Sequence, residues 1–372
     1  MPKRSRGPAR SAGGRAGGNP PAKTWRGRAQ RLAAAIPRSR LNRSVLSWAQ
    51  RSPAGERWAV AFSGGADSLA LLLLAWAHWP ERRGGLFAVH FNHRLRGAAS
   101  GEDARFCARV CRSLGVAFRT GSWARGSKPA GPASESRARQ ARFAYFERTL
   151  APLRIRALWL GHQQDDVAES ILMRLARGSG TGGLAAPRAV QEIGGEGRVH
   201  LRPLLDLKKS EIAAALRSSG IAWREDATNA RPDYFRNRIR SRVLPQWTRA
   251  SGRDAVAGAA CSRELLEEDD LALELWVDRV RPITPAGRLD LKRLKGCPRA
   301  VLRRALYRWL LSGQGGGRSR FGPPGDFGDL SRQGFSALLD AVEGGRPTRQ
   351  SLGAEGFAVI GGGWLFYART RG

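Results

Sequence analysis

The stretch WAVAFSGGADSLALLLLAWA, residues 58 to 77, decides the fold. It begins with a short apolar run, residues 58–62, that predicts a buried strand, and a mostly apolar helix pattern begins at Asp67. Between them lies a turn with two adjacent glycines, Gly64 and Gly65, which allow a tight bend and a close approach of the backbone to a ligand. A strand, a glycine-rich turn and a helix in this order predict an anion-binding helix N-terminus.

The same alternation continues on the C-terminal side of this stretch. Strand patterns recur at 86–91, 116–120 and 157–160, and helix patterns at 102–114, 135–150 and 166–177. Strands that alternate with helices predict an α/β fold with a doubly wound parallel sheet. Ligands of such sheets bind at the carboxyl ends of the strands, near the point where the strand order reverses.

The alternation stops near residue 250. Helix patterns at 256–280, 298–311 and 335–342 follow, then a Gly/Pro/Arg linker at 313–328 interrupts them, and strand patterns flank a glycine turn at 361–363. We therefore predict an α/β domain at residues 51–250, followed by a smaller α+β domain at residues 251–372.

The charge balance is strongly basic. The 372 residues include 64 Lys and Arg against 31 Asp and Glu, a net charge of +33. This excess indicates a polyanionic partner, because neutralising phosphates releases counterions and guanidinium groups pair well with phosphate. A GC-rich genome also raises the arginine content, but it explains the shortage of acids less easily.

The first 50 residues contain no acidic residue and are rich in Pro, Gly, Ser and Arg. We expect residues 1–50 to form a disordered basic tail with at most a short helix at 25–36. Two interpretations stay open for the tail: non-specific RNA binding, or an extension without selected function.

Four scattered cysteines, Cys107, Cys111, Cys261 and Cys297, are too few for a disulfide framework. The sequence shows no apolar run long enough to span a bilayer, and the basic N-terminus is not followed by the apolar segment of a secretory signal. We expect a cytoplasmic protein with reduced thiols and no membrane partner, and we allow for a homodimer.

The glycine-rich turn suggests nucleotide chemistry. Its six residues are Ser63, Gly64, Gly65, Ala66, Asp67 and Ser68. The turn lacks the Gly-Lys-Ser/Thr of kinase-type phosphate loops, and the carboxylate of Asp67 stands where such a loop has its lysine. A carboxylate beside phosphates requires a divalent cation between them, so the turn predicts ATP with Mg²⁺.

A second group of polar residues follows the strand pattern at 157–160. His162, Asp166 and Glu169 are spaced by four and three residues, so they share one face at the start of a helix. Carboxylates that converge on one polar site are costly unless a cation neutralises them, which again favours Mg²⁺. The alternative is an acidic first turn that caps the helix.

Several motifs resemble one family. The Ser63–Ser68 segment resembles the loop of N-type ATP pyrophosphatases, and the string HFNHRLRG at 90–97 resembles a signature of the tRNA(Ile)-lysidine synthases. The resemblance extends over residues 57–247: HQQDDVAE at 162–169, RGSG at 177–180, RPLL at 202–205, EDATN at 225–229 and YFRNRIR at 234–240. Arg139 and Arg142 match a further family segment, in which Phe143 replaces a tyrosine.

The resemblance implies a reaction and assigns roles to residues. ATP would adenylate the 2-carbonyl oxygen of the wobble cytidine of tRNA(Ile) with a CAU anticodon, and free L-lysine would then displace AMP. Asp67, Asp166 and Glu169 would hold Mg²⁺ or serve the lysine amine, and His162 would take part in adenylation. The residues expected to contact tRNA phosphates are Arg139, Arg142, Arg236, Arg238 and Arg240. The resemblance also implies that the domain at 51–250 is catalytic, and we expect the domain at 251–372 to bind tRNA or substrate.

Three other functions fit the sequence less well. A tRNA thiolation enzyme with the same loop carries paired cysteines, and no CxxC occurs here. Amide-forming synthetases need a source of ammonia, and we find no glutaminase segment. A non-catalytic RNA-binding protein would be signalled by loss of Asp67 or Glu169, and both are present.

Overall fold

The computed structural model describes residues 24–93, 98–123, 134–194, 197–225, 234–313, 330–353 and 356–368. Two sheets organise these residues. The larger sheet lies in the N-terminal two thirds of the chain and has six strands, and the smaller sheet lies near the C-terminus and has four.

The larger sheet has the strand order β3-β2-β1-β4-β6-β5. Its strands are β1 (Trp58–Ala61), β2 (Leu86–Asn92), β3 (Ala117–Ser122), β4 (Ala157–Trp159), β5 (Val190–Ile193) and β6 (Arg198–Leu201). All neighbours pair in parallel except β5, which is an antiparallel edge strand. The predicted parallel α/β sheet is confirmed, and the order reverses between β1 and β4.

Helices cover both faces of this sheet. They are α1 (Trp25–Ala35), α2 (Arg43–Arg51), α3 (Ala66–His78), α4 (Ala98–Leu114), α5 (Ser134–Leu150), α6 (Gln164–Leu175), α7 (Thr181–Leu184), α8 (Lys209–Ser218), α9 (Phe235–Arg238) and α10 (Leu244–Ser251). A π-helical turn, Ile239–Val243, joins the last two. Alternate strand residues face opposite layers: Val60 packs with α1, α3 and α8, and Ala59 packs with α5.

Residues 24 to 50 are folded: α1 confirms the short helix predicted at 25–36, and the rest of the segment differs from the predicted disordered tail. Thr24 caps α1 through a hydrogen bond from the N–H of Gly27. Leu32, Leu41 and Val45 are buried in the same core as α3. The basic composition hid these few apolar residues, and their burial places 24–50 within the α/β unit. Residues 1–23 lie outside the described residues.

The C-terminal unit has its own core. It comprises α11 (Ala255–Val280), β7 (Leu289–Asp290), α12 (Leu291–Leu294), α13 (Arg299–Gly313), α14 (Arg332–Gly344), β8 (Thr348–Ser351), β9 (Phe357–Gly361) and β10 (Trp364–Ala368). The strands form an antiparallel sheet in the order β7-β10-β9-β8. Ala259 at the start of α11 belongs to the larger core, whereas Val277 near its end belongs to the smaller one. The two units therefore share α11, and the transition falls within this helix. Most of the linker predicted at 313–328 lies outside the described residues.

Among the helices that the structure describes, none combines the length and the apolar character that crossing a membrane requires.

Candidate active site

The loop between β1 and α3 is held by its own serines. The Ser63 N–H donates a hydrogen bond to Ser68 Oγ (3.1 Å), and the two hydroxyl oxygens lie 2.9 Å apart. Gly64 has φ +88°, a conformation that side chains rarely adopt, and a Cβ there would lie 3.2 Å from Cys107 Sγ. The loop therefore needs glycine at this position both for its backbone and for its packing.

No described side chain caps the N-terminus of α3. Gly65 is the N-cap residue and provides no side-chain hydrogen bond to the first turn. The first N–H groups of a helix have no partner within the helix, and the helix dipole places positive charge there. An anion such as a phosphate group can accept these hydrogen bonds.

Asp67 lies in the first turn of α3 and carries an unusual carboxyl group. Its Oδ1 is buried and accepts no hydrogen bond from the described residues. Burial, reinforced by the negative charge of Asp166, raises the pKa of Asp67 to about 7. A carboxylate of this kind is stabilised when a cation approaches it.

Gly161 brings the second motif against the first. It follows β4, and a Cβ at this position would lie 3.1 Å from the backbone carbonyl atoms of Asp67 and 3.2 Å from the nitrogen of Ser68. Because only glycine allows this contact, the end of β4 can pass directly beside the start of α3. The two motifs meet at the point where the strand order reverses, as the sequence predicts.

The two carboxylate oxygens of Asp166 accept different hydrogen bonds. Its Oδ2 accepts the N–H of Gln163 (3.1 Å) and so forms a capping box at the start of α6. Its Oδ1 accepts from Arg236 Nη2 at 2.6 Å. Burial raises the pKa of Asp166, although Arg236 opposes the shift. The capping interpretation is therefore confirmed for Asp166, and its role in the site stays a prediction.

Glu169 is bound by two arginines. Its side chain is fully buried (0% exposed), and it accepts from Arg236 Nε at 2.6 Å and from Arg240 Nε at 2.5 Å. Across the residues that the structure describes, no group of three or more His, Cys, Asp or Glu is placed to hold a metal ion. In this structure the guanidinium groups of Arg236 and Arg240 neutralise Glu169. The magnesium site at Asp67, Asp166 and Glu169 stays a prediction.

His162 is neutral in this environment. Burial and the nearby charge of Arg202 hold the pKa of His162 well below its ordinary value. Its Nδ1 lies 3.3 Å from Arg202 Nε, which donates to it. Since arginine has no acceptor, the proton of the neutral imidazole resides on Nε2.

The five arginines predicted to contact tRNA have different surroundings. Arg236 and Arg240 bind the acidic pair described above, so their guanidinium groups are directed at carboxylates. Arg139 and Arg238 are exposed. Arg142 is half-buried, and burial together with the charge of Arg139 lowers the pKa of Arg142 to about 10. Arg94 to Gly97 and residues 226–233 of the family motifs lie outside the described residues.

Sequence reasoning missed the role of Arg202. This buried side chain donates to His162 Nδ1, to the carbonyl of Arg188 (2.7 Å) and to Gln191 Oε1 (3.0 Å). Because Arg202 begins the RPLL motif at 202–205, the sequence marked it as a residue of interest. Neither its position in the motif nor its charge indicates that its partner is His162, 40 residues earlier in the chain.

Comparisons with known proteins agree with this geometry. The chain is 40% identical over 220 residues to the tRNA(Ile)-lysidine synthase of Symbiobacterium thermophilum, covering 59% of this chain and 45% of that protein. It is 37% identical over 268 residues to the synthase of Geobacter sulfurreducens, covering 68% and 54%. The chain thus spans about half the length of these curated relatives.

One solved structure is also similar. The U34-tRNA thiolase of Methanococcus maripaludis matches with a TM-score of 0.47 and 17% identity, over 66% of this chain and 78% of that one. The model of the PP-loop domain matches residues 37–247, which contain the larger sheet, both polar motifs and the acidic pair with its arginines. The chain belongs to the PP-loop family.

Proposed function

We propose that this protein ligates free lysine to the 2-position of the wobble cytidine in tRNA(Ile) with a CAU anticodon. ATP first adenylates the base and releases pyrophosphate, and lysine then displaces AMP to give lysidine. One observation carries this proposal: the region that resembles the relatives named tRNA(Ile)-lysidine synthase also places Asp67 and Asp166 together beside an open helix N-terminus.

ATP binding rests on the loop from Ser63 to Ser68. The uncapped N–H groups at the start of α3 would bind its phosphates, and the glycines let the nucleotide approach the backbone. Ser63 and Ser68 bond each other, so their hydroxyls hold the loop in shape as well as facing a phosphate.

Asp67 and Asp166 fit a magnesium ion. Asp67 presents a buried oxygen that accepts no hydrogen bond within the described part of the chain, and each of the two carboxyls has a raised pKa. Oxygen ligands of this type are those that Mg²⁺ prefers, and the phosphates of ATP would complete its coordination. When bound, the ion would offset phosphate charge during adenylation. Glu169 takes no part in this set.

His162 would orient the base. With its proton on Nε2 and Arg202 fixed on Nδ1, the ring can donate a hydrogen bond toward the site. The target cytosine has to leave its stack to reach this crevice, as is usual for chemistry on a base in structured RNA.

Lysine would use the acidic pair, Asp166 and Glu169. Its ammonium needs negative charge, and in this structure Arg236 and Arg240 supply the neutralising charge instead. We infer that lysine competes with these guanidinium groups for the carboxylates. The exposed Arg139 and Arg238, together with the net charge of +33, favour binding of the tRNA backbone.

The test is incorporation of labelled lysine. The purified chain is incubated with ATP, Mg²⁺, radiolabelled lysine and a CAU-anticodon tRNA(Ile) transcript, and acid-insoluble label is counted. A transcript with uridine at the wobble position is the matched control. Label that depends on ATP and on the wobble cytidine is expected, and its absence would overturn the proposal.

A further inference from the structure

A buried carboxylate joins the C-terminal unit to the PP-loop unit. Asp270, in the middle of α11, is 0% exposed. It forms ion pairs with Arg188, just before β5, and with Arg304 on α13. Arg188 and Arg304 lie in different units, so one carboxylate fixes the position of both.

The same contact holds the segment that contains α7. Thr181 Oγ1 lies 3.4 Å from Asp270 Oδ1, and a Cβ at Gly182 would lie 2.9 Å from that oxygen. On the other side, Arg332 of α14 donates to the carbonyl of Arg177 at 2.6 Å. The C-terminal unit therefore contacts the RGSG segment, residues 177–180, at its first residue and directly after its last one.

From Asp270 a chain of polar contacts continues to the candidate active site. Arg188 pairs with Asp270, and its carbonyl accepts from Arg202 Nη1 at 2.7 Å. Arg202 is 2% exposed and donates through Nε to His162 Nδ1 at 3.3 Å. Its Nη2 binds Gln191 Oε1 at 3.0 Å. Each link is buried or half-buried, so water competes little for these bonds.

We propose that Asp270 is a positioning residue that fixes the orientation and tautomer of His162 through Arg188 and Arg202. Loss of its charge leaves Arg188 with the longer ion pair to Glu267 (3.8 Å). We expect the Arg188 carbonyl that anchors Arg202 to shift, so that the guanidinium no longer holds Nδ1 of His162. The C-terminal unit thereby contributes to adenylation without touching the substrate. The catalytic part of this inference rests on the proposed function.

Two variants and one control test the proposal. Asp270→Asn keeps the shape of the side chain but removes its charge, and Gln191→Leu removes one acceptor of Arg202 without changing any charge. Asp278→Asn is the control, because Asp278 lies on the same helix and pairs with Arg308 of α13, but its side chain is 48% exposed.

The first measurement is the tautomer of His162. The chain contains five histidines, so side-chain ¹⁵N–¹H spectra can be assigned by comparison with His162→Gln. We expect a single Nε2–H form in the wild type and a mixture in Asp270→Asn and Gln191→Leu. The second measurement is ATP–pyrophosphate exchange with CAU-anticodon tRNA, in which kcat should fall at least 10-fold while KM for ATP changes less than 2-fold. The control should alter neither quantity.

The outcomes separate this proposal from the proposed function. An unchanged His162 spectrum in folded Asp270→Asn and Gln191→Leu overturns the positioning role. If Asp270→Asn does not fold, Arg188→Lys, which alters the same ion pair, takes its place, and an unchanged His162 spectrum in that variant overturns the positioning role. A wild type that shows the fixed tautomer but no lysine incorporation contradicts the proposed function and leaves the link between Asp270 and His162 to be judged by the spectra.

Discussion

Two carboxylates, those of Asp67 and Asp270, have opposite surroundings. Asp270 is buried and is matched by two guanidinium groups from two different elements. Asp67 is half-buried, its Oδ1 accepts no hydrogen bond from the described residues, and burial raises the pKa of Asp67 to about 7. A carboxylate with complete partners contributes to the stability of the fold, whereas one without them costs stability until a ligand arrives.

The presence or absence of charged partners distinguishes a structural carboxylate from a candidate site carboxylate more clearly than burial does. Both carboxylates lie on helices and near arginines, so neither the helix location nor the neighbouring charge tells them apart. What distinguishes Asp67 is that no described side chain caps the N-terminus of α3 and that Gly161 passes close beside the Asp67 backbone. Substitutions at the two positions should therefore act in opposite ways.

The largest effect is expected from Asp67→Asn on catalysis. Without this carboxylate the phosphate charge of ATP has no counter-ion site on α3, so ATP–pyrophosphate exchange should fall about 1000-fold or more, equivalent to about 4 kcal/mol. Binding of tRNA, measured by filter retention, should change less than about 2-fold. Asp165→Asn, which removes a charge from the same region, is the control. Full exchange activity in Asp67→Asn would contradict the assignment of Asp67 to the metal.

Stability should respond most to Asp270→Asn. The substitution leaves Arg188 and Arg304 buried without their full counter-charge, which is expected to lower the free energy of unfolding by about 3–5 kcal/mol. Urea denaturation measures this loss. Asp278→Asn disrupts a more exposed pair on the same helix and should cost less than about 1 kcal/mol. Equal losses in the two variants would show that the buried carboxylate has no special role.

Asp67→Asn should raise the free energy of unfolding relative to the wild type, and the gain should grow as the pH rises from 4 to 7. A carboxyl whose pKa is raised from 3.8 to about 7 favours the folded state below pH 3.8, and this contribution is lost as the pH rises to 7. The neutral amide does not lose it, so the variant should gain up to about 4 kcal/mol over the wild type between pH 4 and pH 7. Urea denaturation in chelator without ATP measures the difference. A gain that is the same at pH 4 and pH 8 would argue against a buried, titrating Asp67.

The sequence was sufficient for the elements that carry strong local patterns. The strand and helix around residues 58–77, the alternation through β4 and the meeting of the two motifs at the strand reversal are all confirmed. These follow from apolar periodicity and from glycines, both of which are local properties. The β5–β6 pair was missed, because its four-residue strands include charged side chains and have only weak periodicity.

The features that the sequence could not predict depend on contacts between residues that are distant in the chain. Spacing showed that Asp166 and Glu169 share a helix face, but it could not show that Arg236 and Arg240 would occupy that face from about 70 residues away. Spacing therefore could not predict the ion pairs of Glu169. Likewise, the basic composition of residues 24–50 concealed α2 and the packing of this segment against the core of α3.

The smallest expected effect tests the space around Asp67 rather than its charge. In Gly161→Ala the new methyl group would lie about 3.1 Å from the carbonyl carbon and oxygen of Asp67, closer than ordinary contact, and the neighbour is backbone that cannot rotate away. The start of α3 has to shift, at a cost of about 1–3 kcal/mol. Gly84→Ala is the matched control, since a Cβ there meets no atom within 4 Å.

A displaced α3 moves the buried oxygen of Asp67 away from the place where cation and phosphate meet. Gly161→Ala should therefore raise KM for ATP and lower exchange activity, and its melting temperature should fall only a few degrees. If the variant loses stability but keeps the KM of the wild type, the close passage of Gly161 serves packing alone. In that case the isolation of Asp67 from protein donors would follow from its burial and not from the approach of β4 to α3.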